Sequence, residues 1–285
     1  MRKSILICLA VLVAVPLAAQ QQAPQLRTPR PSPKASVMQT IGLTDMTITY
    51  SRPGVKGRQI WGALVPYGTV WRTGANEATT ISFSDDVTIN GQPLPKGTYS
   101  LHTIPGRDQW TIIFNKVANQ WGSFKYDMAQ DALRVTARPE KSPFQEWLSF
   151  DVTQTSADAA TVAMRWENVA VPFTVSTNTT QKVVSDARAL VSGAKADDWK
   201  TPYRAASWAI DNGVNVDEGS KWLDQSLKAN ENIQNLFLKA RLQARQGDRA
   251  GAMVTAERAI SKATPQDADE VSEIRKSIDS WKSSR

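Results

Sequence analysis

Between Tyr67 and Thr80 (YGTVWRTGANEATT) the chain gathers an indole, a guanidinium, a carboxamide and a carboxylate around a tight turn. Trp71 offers a ring face, and Arg72, Asn76 and Glu77 follow within six positions. A guanidinium holds a carboxylate or phosphate through a planar fork, a carboxamide bonds a hydroxyl or a base edge, and a carboxylate accepts a proton. Read as chemistry, the stretch is the rim of a cleft. Read as structure, Arg72 pairs with Glu77, Asn76 closes an Asx-type turn beside Gly74, and Trp71 plugs the core.

His102 is the one histidine in the sequence. It can serve as a general base or as a single metal ligand, and Glu77 is the other candidate acid or base. The plain alternative is a satisfied strand histidine. With no second histidine, and with its one cysteine at position 8, the chain would have to complete any zinc or copper site from carboxylates alone. Neither metal nor cofactor is therefore expected.

Trp61, Trp71, Trp110, Trp121, Trp147 and Trp166 all precede residue 176. Such rings stack on sugars or flat ligands where exposed and fill the core where not, and at least half of them are expected in the core. Trp121 is the ring expected at the surface, because it lies in the loop Asn115 to Asp127 (NKVANQWGSFKYD), after a strand and before a glycine. The loop Ser51 to Gly62 (SRPGVKGRQIWG) adds Arg52, Lys56 and Arg58, as a solvated connection or a basic lip. The stretch carries no nucleophile elbow, phosphate loop, H-E-x-x-H or GxGxxG motif.

The elements that must position these groups alternate with a period of two. Met46, Ile48 and Tyr50 alternate with Thr47 and Thr49, Ile81 and Phe83 with Ser82 and Ser84, and Trp110, Ile112 and Phe114 with Thr111, Ile113 and Asn115. Further strands are predicted at Val37–Ile41, Thr98–Ile104, Ala132–Ala137, Trp147–Val152, Thr161–Trp166 and Val169–Val175. On the strand holding His102, Tyr99 and Leu101 face one way and the imidazole the other. Asn90-Gly91 is the strongest hairpin signal. Short strands with no long helical pattern among them predict an antiparallel β-sandwich or jelly roll over residues 35–176.

Ahead of it, residues 1–19 read as a secretory leader: Arg2 and Lys3, then an apolar run from Ile5 to Leu17, then Ala18 and Ala19. At 1.5 Å per residue that run spans ~20 Å, short of a bilayer core. A periplasmic or secreted protein with no integral membrane segment after cleavage is expected, and Cys8 leaves with the leader. Residues 20–34 are rich in Gln and Pro and are expected to form a disordered arm without a site. The formal charge of +7, of which the leader carries two, is spread along the chain without a basic run, so nucleic acid is not expected as a partner.

Four stretches then carry a resemblance: SPKASVMQTIG (Ser32–Gly42), the long run from Tyr50 to Ser84, LPKGTYSLHTIPG (Leu94–Gly106) and FNKVANQWGSFKYD (Phe114–Asp127). Over about residues 32–175 the chain resembles the bacterial family called domain of unknown function 2911. The resemblance implies a secreted or envelope-associated β protein and names no reaction. It singles out Arg52, Arg58, Gly62, Tyr67, Trp71, Arg72, Gly74, Asn76, Glu77 and Thr79, with Asn115, Trp121 and Gly122 later.

From Thr179 the period becomes 3.6. Helices are predicted at residues 180–192, 201–212, 216–229, 233–246, 249–263 and 267–282. Thr201 before Pro202, Asn215 with Glu218, and Asp248 mark starts; Gly213 and Gly247 mark ends. Those two glycines are 34 apart, the period of a tetratricopeptide-type helix pair. An all-α tetratricopeptide-like domain over 180–285 is expected, with a protein partner docking through helices 201–263; Trp199, Tyr203, Trp208 and Trp222 line a groove there or cement the helices.

The leading expectation is a binding module for a polar ligand, a saccharide or a cell-wall or peptide fragment, at a cleft of Trp71, Arg72, Asn76, Glu77, His102 and Trp121. Two alternatives stand beside it. One is a hydrolase or lyase in which Glu77 or His102 is the general acid or base; the other is a structural protein whose signature residues satisfy one another.

Overall fold

A computed structural model of the chain describes residues 28–283. The expected leader and residues 20–27 of the expected arm lie outside them. The strands run in order as β1 (Lys34–Ile41), β2 (Thr44–Ser51), β3 (Thr80–Phe83), β4 (Val87–Ile89), β5 (Gln92–Leu94), β6 (Gly97–Ile104), β7 (Trp110–Asn115), β8 (Asp131–Ala137), β9 (Glu140–Ser156) and β10 (Ala159–Ser176). Among the described residues they form a six-stranded sheet, β1-β2-β3-β6-β7-β8, and a four-stranded sheet, β5-β4-β10-β9. Every paired register is antiparallel.

The alternating apolar residues of both sheets meet in one core that holds Met46, Ile48, Ile81, Leu101, Ile112 and Phe114 from the first sheet and Leu148, Phe150, Val162, Met164 and Phe173 from the second. Tyr50 meets Phe150 edge-on at 4.9 Å, and Phe114 meets Phe173 at 6.0 Å. The layers are thus a β-sandwich. Asn90 and Gly91 both take positive φ, 47° and 79°, as the β4–β5 hairpin turn requires.

Two strands differ from expectation. The separate strands predicted at 161–166 and 169–175 are one long strand, β10, because Glu167 at φ 55° inserts a bulge against β9 and resets the alternation without ending the pairing. At the other end, the part of the expected arm that is described is not free chain. The Pro33 carbonyl accepts from the Arg52 amide at 2.8 Å, Ser32 accepts from Asn76, and β1 already begins at Lys34.

Six α-helices follow among the described residues: α1 (Thr179–Ser192), α2 (Lys200–Asn212), α3 (Val216–Ala229), α4 (Ile233–Arg245), α5 (Arg249–Ile260) and α6 (Ala268–Ser283). Gly213 ends α2 in the left-handed conformation, and Asp248 caps α5 through the Gly251 amide at 2.8 Å. The N-cap residue of α2 is Trp199, not Thr201, and it makes no side-chain cap; the first amides are taken instead by Asp198 just before it, whose carboxylate accepts from the Lys200 and Thr201 amides and the Thr201 hydroxyl. Asn215 makes no side-chain cap, and Glu218 turns instead to Arg188 of α1.

Trp222 is buried with Ile210 and Leu238, and Trp208 and Tyr203 pack against the same cluster, so these rings cement helix to helix. Asn235, fully buried, donates to Ser226 Oγ and to the Asn230 carbonyl, and Ser226 donates to the Trp199 carbonyl. That chain of bonds ties α2, α3 and α4 at one end.

Candidate functional site

The fold distributes the fourteen-residue stretch and its partners over three environments. Trp71 is bonded to Thr103 of β6 through both backbone groups, at 2.8 and 2.9 Å, so it continues along the edge of β6 that β3 pairs with further along. The chain then leaves the edge in a loop held from inside. Thr79 Oγ donates to the Thr73 carbonyl at 2.7 Å, Thr73 Oγ to Thr103 Oγ at 3.1 Å, and the Trp71 indole to the Gly74 carbonyl at 3.1 Å. Thr73 and Asn76 take φ of 55° and 59°. A Cβ on Gly74 would stand 3.0 Å from the Ser51 carbonyl oxygen, which is why a glycine sits where the loop crosses β2.

Glu77 emerges on the outer face of the six-stranded sheet. It bridges to Trp121, with the Ala78 amide donating to the Gln120 carbonyl at 2.9 Å and the Gly122 amide to the Asn76 carbonyl at 3.1 Å. Between this bridge and β1–β2 lies an open cleft of about 410 Å³, lined by Lys34, Thr49, Ser51, Glu77, Thr80, Asn119, Gln120 and Trp121, among others. The Trp121 residue is 60% exposed, as its loop position predicts. Arg30 Nη1 donates to both Glu77 oxygens, at 3.0 and 3.1 Å. A backbone hydrogen bond at Glu77, then Arg30 and the charge of Lys34, hold its carboxyl below the usual carboxylate range.

Arg72 lies elsewhere, in a smaller pocket of about 200 Å³ that it shares with Trp71, Trp166 and Arg58. The pairing of Arg72 with Glu77 is not made; Arg30 takes that carboxylate instead. Nor does Asn76 close its own turn, since its Nδ2 donates across to the Ser32 carbonyl at 3.2 Å. Trp71 packs partly buried against the core, stacked on Trp166 at 5.8 Å and 17°. Trp61 joins them edge-on and reaches Trp110 at 5.0 Å.

His102 occupies the third environment. It points away from the core, paired across to Ile113, yet it is fully buried because the segment after β7 folds back over this face. Its Nδ1 shares a hydrogen bond of 3.2 Å with Ser123 Oγ, and its ring lies 5.2 Å from that of Tyr126. Burial pushes the imidazole down to about 4, against the opposing pull of Asp131. Asp131 is the hub beside it, accepting from Tyr126 Oη at 2.7 Å, Arg134 Nε at 2.6 Å and Asn115 Nδ2 at 2.8 Å.

The structure therefore brings Glu77 and Trp121 together, puts Trp71 and Arg72 in a second pocket, leaves Asn76 as a backbone and strap-holding residue between them, and seals His102 away from both. Sequence reasoning missed Arg30 and Lys34, which sat in the stretch read as a free arm, and the Asp131 network, whose members are scattered over Asn115 to Arg134. The alternation of Ala35 and Val37 with Ser36 was the signal that the strand starts earlier. Among the described residues no three of His, Cys, Asp and Glu gather where a metal ion would be held, and no helix is long and apolar enough to cross a membrane.

An antiparallel sandwich with an open polar cleft on one outer face, followed by a row of helices, is the class of protein these elements define. The model of the family described as protein of unknown function (DUF2911) matches residues 32–175, just over half of the chain, and the chain belongs to that family. No curated protein matches it.

Proposed function

We propose that the chain is a secreted or periplasmic binding protein that takes a polar ligand, a saccharide or a cell-wall or peptide fragment, in the outer cleft beside Glu77 and Trp121, while the helices dock a protein partner. The observation that carries this reading is the exposed Trp121 on the rim of a cleft whose lining mixes hydroxyls, amides, one lysine and one carboxylate with Tyr50, Ala78 and Ala118. A ring face beside fixed polar groups is the arrangement that stacks on a sugar or a peptide plane and orients it by hydrogen bonds.

Binding is favoured over catalysis by the state of the two candidate bases. Glu77 is tied to Arg30 and held ionised, so its drive to take a proton is low. His102 lines neither pocket, and among the described residues that line the cleft no histidine stands beside a hydroxyl. A structural lattice is disfavoured as well, since Arg72 and Glu77 do not satisfy one another.

The test is calorimetric titration of the chain lacking residues 1–19 with chitooligosaccharides and muropeptides, alongside Trp121→Ala and Glu77→Ala. One of the two ligand classes binds the parent, and Trp121→Ala weakens it about tenfold, the scale of one lost stacking contact. Affinity that survives Trp121→Ala unchanged removes the cleft from consideration.

A further inference from the structure

Among the described residues no side chain forms an ion pair with Arg72. Its Nε is buried without a hydrogen-bond partner although the residue as a whole is half-buried, and burial pushes its guanidinium down. Among the described residues no carboxylate meets it. Leaving even a partly desolvated cation unpaired costs stability, and folds normally pair it.

The surroundings suit an anion. The pocket of about 200 Å³ at Arg72 has no acidic residue in its lining and a second arginine, Arg58, across it. Arg58, an exposed residue, is held in place by donating Nε to the Val55 carbonyl at 3.1 Å and Nη2 to the Gly54 carbonyl at 2.6 Å, which uses carbonyls and leaves its positive charge without a carboxylate partner among the described residues. Leu64, Val65, Trp71 and Trp166 give the pocket an apolar and aromatic side, with Ser32 among its other lining residues. Trp61, packed against both of those rings, has its indole N–H buried without a partner too. Two orphaned donors thus surround one tryptophan cluster.

We infer that this pocket is a binding site for a carboxylate borne on a small apolar or aromatic body, with Arg72 as the fork that grips the carboxylate, Arg58 as the supporting charge, and the stacked Trp71–Trp166 pair as the wall for the apolar part. A carboxylate fits better than a phosphate because its two oxygens match one guanidinium fork and its substituent matches the walls; a phosphate would bring a third charged oxygen to an apolar face. The site is separate from the outer cleft. Arg72 and Arg58 do not line that cleft, and Glu77 and Trp121 do not line this pocket.

The probe is benzoate, titrated into the chain lacking residues 1–19 and followed by tryptophan emission and calorimetry, with inorganic phosphate in parallel. Benzoate binds saturably in the millimolar range, of the order expected for so small a ligand. Arg72→Gln weakens it about tenfold or more, the loss of a charge-assisted fork, and Arg72→Lys, which keeps charge but not the fork, also weakens it. Trp121→Ala leaves it unchanged, which separates this site from the cleft. In the absence of ligand, Arg72→Met keeps or raises the melting temperature, because it removes an unpaired, half-buried charge. No saturable response of the parent to benzoate, a preference for phosphate, equal affinity in Arg72→Gln, or a fall in melting temperature for Arg72→Met would each overturn the assignment.

Discussion

At His102 an imidazole is held neutral beneath a loop, and that fixes the sign of a pH dependence. Its folded pKa, about 4, lies below the ordinary 6.5, so between those values the unfolded chain takes up a proton that the native state refuses. The stability this group contributes is present above the ordinary value and is lost as the pH falls toward 4. Urea unfolding at stepped pH is expected to show a decline over this window that His102→Gln flattens by up to about 3 kcal/mol; an equal slope in the variant means that the imidazole titrates freely. At Glu77 the expectation is the opposite in size. Its partner Arg30 is solvent-exposed, so Arg30→Ala shifts the unfolding free energy by about 1 kcal/mol or less, and a larger loss in a denaturant series would show that the strap is structural. The residue types at this site were legible in the sequence; their pairing was not. Arg30 meets Glu77 across 47 positions, a closure set by where β1 docks and not by any local pattern.

At the scale of elements, what the sequence made plain was what depends on near neighbours. The alternation of Met46, Ile48 and Tyr50 specifies a half-buried strand, Asn90-Gly91 specifies its turn, and Gly213 and Asp248 punctuate the helices where they were expected. The long β10 was hidden because its bulge at Glu167 imitates a strand end, and the part played by Asp198 at the start of α2 was hidden because a neighbouring Thr-Pro pair looked like the better start. Helix packing supplies a further test. A Cβ on Gly219 of α3 would come 2.9 Å from that of Ala209 on α2, so this pair of helices approaches as closely as side chains allow. Gly219→Leu is expected to cost about 1–3 kcal/mol by overpacking, in spite of leucine's better helix propensity. Thermal unfolding checks it, and a variant as stable as the parent would mean that α2 and α3 slide apart freely.

For the whole molecule, the cores stay separate. The sandwich core holds no helical residue, and the two helical clusters hold no strand residue. Polar contacts join the parts, such as Lys182 of α1 with Asp85 at 3.0 Å. Residues 178–285 expressed alone are therefore expected to give a helical circular dichroism spectrum and a cooperative melt; a β or featureless spectrum would show that the helices need the sandwich. The four indoles of Trp61, Trp71, Trp110 and Trp166 lie with neighbouring centroids 5.0 to 5.9 Å apart. Rings so close and so fixed in angle share their electronic transitions, so the sandwich carries its own chromophore array. An intense near-ultraviolet signal should accompany native packing and vanish on melting, which makes the state of this end of the molecule readable without any attached dye.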